Sequence, residues 1–138
     1  MGWIKEIVHE LQKKYKTNDP FELAESMNVH VVMWDLHEDI NGFYKYDRRN
    51  KYIFLNSNLS SVMQRFVCCH ELGHAVLHPR SNTPFLRKNT LFSIDKIEVE
   101  ANTFAVEMLI PDEVLEGKSI YDLAKLHGVP SEVAHLKK

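Results

Sequence analysis

Apolar residues return at helical spacing in the first segment of the chain. Ile4, Ile7, Val8, Leu11 and Tyr15 mark one face between Trp3 and Tyr15. "TNDP" breaks that pattern, and Asp19 is placed to cap a second helix with Pro20 at its first position. This helix runs through "FELAESM" and stops near Asn28. The period then shortens. "VHVVMWDL" is rich in β-branched residues and predicts a strand, and "NGFYKY" and "KYIFLN" predict an antiparallel hairpin around the polar turn "DRRN". After Asn58 the helical period returns over about 59–77, until Pro79 ends it. Residues 79–93 hold two prolines and read as a loop, long enough in a small domain to be functional. A further helix is expected from about Asp95 to Ile110, and two short ones in the tail, broken at "HGVP". Helices, then a small sheet, then helices predict an α+β fold with a small antiparallel sheet.

Composition narrows the picture without directing it. The 138 residues fit a single domain spanning 1–138, with 44% apolar and 26% charged residues, ordinary for a globular chain. A net charge of −2 carries no basic excess of the kind that marks a nucleic-acid footprint, so no direct nucleic-acid partner is expected. The only two cysteines, Cys68 and Cys69, are adjacent, which argues against a disulfide scaffold. No signal peptide or membrane span is visible, and a reducing, cytoplasmic setting is the expectation.

Chemistry concentrates in "CCHELGHAVLH", Cys68 to His78. His70 and His74 are four apart on a predicted helix, so they differ by only ~40° around its axis and can reach one ion. Glu71 lies ~100° from His70, off the ligand line but able to reach a water beside a metal. This is the H-E-x-x-H arrangement of a metallopeptidase, with Glu71 as general base. Met63, Phe66, Val67 and Leu77 share the arc of the two histidines, so the pair should face inward. Gly73, unfavourable mid-helix by ~1 kcal/mol, suggests the close approach of another backbone. His78 is ~12 Å from His70 along a straight helix, too far to join the same ion, and reads as a supporting residue. The cysteines lie off the ligand arc and read as small packing residues.

A third protein ligand is needed, with zinc the preferred metal and one position left open for water. The next helix offers Glu98, Glu100 and Glu107. Its apolar arc is Ile94, Ile97, Ala101, Phe104, Ala105, Met108 and Leu109, and Glu98 falls at one side of it. Glu98 is therefore the expected ligand, with Asn102 one turn further on as a hydrogen-bonding support. Glu100 and Glu107 fall opposite the arc's centre, where water alone would satisfy them.

"RFVCCHELGHAVLH" (65–78) and "EVEANTFAVEMLIP" (98–111) together resemble the ImmA/IrrE-type metallopeptidases of bacteria, their phages and mobile elements. The resemblance extends from about Phe21 to the end. It implies a zincin-like domain and a gluzincin-like zinc peptidase, with His70, His74 and Glu98 on the metal and Glu71 as base. It also implies a protein substrate, a helix-turn-helix repressor of a phage or mobile element. Two rival readings remain. One is a metal-containing regulatory protein that binds the repressor without cutting it. The other is a small DNA-binding module built on "IYDLAKLHGVPSEVAHLKK", where Ala124 and Gly128 sit at helix-turn-helix spacing but little chain remains for a recognition helix.

Overall fold

A computed structural model describes residues 2–87, 89–113 and 116–138. The first helix, α1 (Gly2–Tyr15), buries Ile4 and Val8 and ends at Lys16, which adopts a positive φ of 55°. Asp19 caps α2 (Pro20–Ser26) by accepting a hydrogen bond from the Phe21 amide, and Asn28 at φ 59° turns the chain out of the helix. Both helices match the sequence reading.

The sheet departs from it. Strands β1 (Val29–Trp34), β2 (Ile40–Asp47), β3 (Asn50–Asn56) and β4 (Pro84–Leu86) are ordered β1-β3-β2-β4. β2 and β3 form the expected antiparallel hairpin around Arg48 and Arg49, both at positive φ, a two-residue turn that suits the sheet's twist. β1, however, pairs parallel to β3, so the sheet is mixed rather than antiparallel. The cause lies in the link from β1 to β2. It crosses the end of β3 and is pinned there by Asn56, whose Nδ2 reaches the carbonyls of Leu36, His37 and Ile40 at 3.3, 3.2 and 2.9 Å. β3 thereby slots between its two predecessors. The segment 79–93 is also not all loop: it contributes β4 to the sheet and a short 3-10 helix, Thr90–Phe92.

The inner face of the sheet packs on α3 (Ser61–Leu77), which begins at a Ser60 cap. Gly42 of β2 allows the close approach: a Cβ there would lie 2.9 Å from a Val67 methyl. Behind α3 lies α4 (Lys96–Leu109), and α1 and the tail pack on α4 in turn. The tail forms α5 (Ile120–Leu126) and a 3-10 helix, Ser131–Leu136, whose Val133 and Ala134 are buried. Six residues of 3-10 helix packed against the core make no recognition helix, so the tail serves the core rather than DNA. Among the described residues no helix is long and apolar enough to cross a membrane.

Candidate active site

The site lies between α3 and α4. Every residue of α3 from Phe66 to Ala75 is buried, His70, Glu71 and His74 included. Gly73 brings the helices together: a Cβ there would stand 3.0 Å from Phe104 Cβ and 3.2 Å from Ala101 Cα. The close backbone approach suggested by that glycine is therefore present. It delivers Glu98, from the first turn of α4, to the two imidazoles. His74 Nε2 is 2.7 Å from Glu98 Oε1, and His70 Nε2 is 3.7 Å from Glu98 Oε2. Glu71 Oε1 lies 3.8 Å from His70 Nε2. The two rings meet edge to face with centroids 4.9 Å apart.

Five buried polar atoms at this point have no hydrogen-bond partner: His70 Nε2, His74 Nε2, Glu98 Oε1 and both oxygens of Glu71. Even the 2.7 Å contact of His74 with Glu98 lacks the alignment of a hydrogen bond. Buried polar groups are ordinarily satisfied, and a cluster of five orphans facing one another is the donor set of a cation. His70, Glu71 and His74 each offer a ligand atom within 4.8 Å of the others. Glu98 could join the two histidines in holding a cation, because its carboxylate approaches both imidazoles.

A family profile described as the IrrE N-terminal-like domain matches residues 24–137. The chain belongs to this family. It is similar to "Uncharacterized immunity region protein 2" of Bacillus phage phi105, with 58% identity over 97% of this chain and 88% of the relative. It is also similar to "Metallopeptidase ImmA" of Bacillus subtilis (strain 168), with 30% identity over 97% of this chain and 83% of the relative. The protein is thus a metallopeptidase of the ImmA/IrrE type, with a small α+β, zincin-like domain around its H-E-x-x-H helix.

Electrostatics separates the peptidase's two site glutamates. Burial, reinforced by the nearby Glu98 charge, pushes the Glu71 carboxyl well above the usual range. Burial acts on Glu98 too, but the His70 and His74 imidazoles outweigh it and bring its carboxyl down to about 2. Burial holds His74 below its ordinary value despite the Glu98 carboxylate beside it. One carboxylate is thus kept charged beside the imidazoles, while the other favours its protonated form when no cation is present.

The supporting residues divide between prediction and surprise. Asn102 lies beside His70: its Oδ1 is 2.8 Å from His70 Nδ1, while its Nδ2 donates to the Thr90 carbonyl at 3.1 Å. His78 touches His74, their Nδ1 atoms 3.0 Å apart. Glu100 and Glu107 correct the sequence reading, which turned both to water. Glu100 is 7% exposed and lies 2.8 Å from His78 Nε2, and Glu107 is 2% exposed and pairs with Lys137 Nζ at 2.7 Å. The reason is that α4 is covered by α1 and the tail as well as by α3, so from Glu100 to Leu109 it has no solvent side. Ile94, placed on the apolar arc, instead precedes the helix and is 97% exposed.

Phe85 and Thr90 were not singled out from the sequence. The Phe85 ring stands 4.7 Å from that of His70 and walls the site on the β4 side. The signal was an apolar pair, Phe85–Leu86, between prolines and polar residues. The Tyr44 hydroxyl donates to the Pro79 carbonyl, away from the site. Cys68 and Cys69 are buried free thiols that burial holds neutral.

Proposed function

We propose that the protein is a zinc-dependent endopeptidase in which His70, His74 and Glu98 hold the metal and Glu71 moves the proton. The observation that carries this reading is the convergence of five unsatisfied buried atoms on one point between α3 and α4. Two imidazole nitrogens and one carboxylate, with a place left for water, suit zinc. Bound there, zinc supplies Lewis acidity, activating water and polarising the scissile carbonyl. Glu71 takes a proton at its carboxylate and later yields it to the leaving amine. Asn102 orients His70, and Phe85 shields that ring from water.

A cleft of about 470 Å³ opens beside Glu98, lined by Pro84, Leu86, Thr90, Phe92 and Ile94 among others. Its apolar walls fit a side chain next to the bond being cut. Addition of a substrate strand to β4 is less well supported, since Pro84 has no N–H and the Leu86 N–H is already donated to Thr90 Oγ1. The substrate in this reading is a helix-turn-helix repressor of a phage or mobile element, which places the enzyme in the cytoplasm. The family resemblance and a phage immunity-region relative support that assignment.

The test is cleavage of a helix-turn-helix repressor from the same phage or mobile element by purified, zinc-loaded protein. Defined fragments that vanish with a chelator and with Glu71→Gln are expected. Stoichiometric capture of intact repressor would instead establish a regulator that binds without cutting.

A further inference from the structure

His74 is tied to a chain of hydrogen bonds leading away from the site. Its Nδ1 lies 3.0 Å from His78 Nδ1, and His78 Nε2 lies 2.8 Å from Glu100 Oε1. The side chains of His78 and Glu100 are only 11% and 9% exposed, so water competes little for these contacts. The direction of each bond follows from donor and acceptor chemistry. A carboxylate only accepts, so His78 must carry its hydrogen on Nε2. On a neutral ring, Nδ1 is then the acceptor. His74 must therefore donate from Nδ1, which leaves its Nε2 as a bare lone pair 2.7 Å from Glu98 Oε1, a contact between two acceptors that a cation held by both would relieve.

We propose that Glu100, acting through His78, sets the tautomer of His74 and so readies its Nε2 to bind the metal. The inference rests on the metal-site reading above and extends it to a carboxylate that never touches the metal. It is a positioning role: Glu100 fixes one end of the relay and His78 transmits the direction. The opposite polarity, with His78 donating from Nδ1, would put a hydrogen on His74 Nε2 and aim it at the site. His70 is set differently, by an amide: Asn102 accepts from His70 Nδ1 through Oδ1 because its Nδ2 is held by the Thr90 carbonyl. The two imidazoles thus reach the same tautomer by separate routes, one ending on a neutral backbone carbonyl and one on a charge.

The relay is read directly from ring-nitrogen shifts of isotope-labelled histidine in the metal-free full chain. His74 is expected as the Nδ1–H tautomer. Glu100→Gln keeps the shape but can donate as well as accept, so His74 should become a mixture of tautomers. Zinc affinity, measured by competition with a chromogenic chelator, should fall ~10-fold. His78→Phe removes the acceptor itself and should give the same loss if Glu100→Gln does not fold. His74 protonated on Nε2 in the wild type, or unchanged tautomer and zinc affinity in folded Glu100→Gln, would overturn the relay. Failure of the wild-type chain to take up one zinc would sink the metal site instead, while the tautomer readings would still decide the relay.

Discussion

The helix pair α3–α4 and the rim formed by residues 79–94 stand side by side yet differ in kind. In the helix pair, the polar residues of the site are buried, and a glycine sets the spacing between backbones. On the rim, Phe92 is 72% exposed and Ile94 97%, with Leu86 at 36%. Charge-bearing chemistry needs donors held to within fractions of an ångström, which only close packing supplies. Recognition of a polypeptide needs apolar surface left uncovered. The two demands fall on neighbouring segments of one chain, so substitutions should separate them.

The largest effect is expected inside the helix pair. Glu71→Gln should retain zinc while lowering cleavage by at least ~10²-fold, whereas His74→Ala should lose the metal as well; metal content and fragment yield on the same samples distinguish the two. Next comes the spacing itself. Alanine at Gly73 would gain helix propensity but press on Ala101 Cα, and the larger Gly73→Val should destabilise by about 1–3 kcal/mol in denaturant melts. On the rim, Phe92→Ser with Ile94→Ser should raise KM about tenfold and leave zinc content and melting temperature unchanged. Equal loss of metal in that double variant would erase the distinction between the two regions.

The smallest effect concerns acid and base in the metal-free chain. Burial raises the Glu71 carboxyl, so the folded protein keeps a proton that the unfolded chain releases above the ordinary carboxylate range. Native protein then binds more protons than unfolded protein, and stability declines as pH rises from that range through the folded value. Glu71→Gln removes the penalty. The metal-free variant should melt a few degrees above wild type near neutral pH, about 2–4 °C for each kcal/mol, and the gap should close in acid.

Local spacing carried much of this site. The four-residue interval of His70 and His74, the offset of Glu71 and the cost of Gly73 are properties of one helix, and one helix suffices to read them. The position of Glu98 beside the imidazoles was legible because a carboxylate at the border of an apolar arc is a local anomaly. Glu100 and Glu107 were not, because their partners come from afar: His78 on α3, and Lys137 in the tail. An apolar arc shows which face is greasy, and cannot show that the opposite face is covered too. The parallel pairing of β1 with β3 was hidden for the same reason, since it depends on a loop held by the Asn56 amide rather than on strand propensity. β4 is three residues long and too short to announce itself against two prolines.

Cys68 and Cys69 sit in the middle of α3 with no exposed surface, and burial keeps both thiols neutral. An aromatic disulfide reagent or iodoacetamide can therefore reach them only when the helix leaves its place. The pair is a built-in clock for the opening of the domain: its labelling rate counts excursions of the very segment that bears the histidines, and slowing of that rate by an added cation would time how firmly the cation fastens the fold.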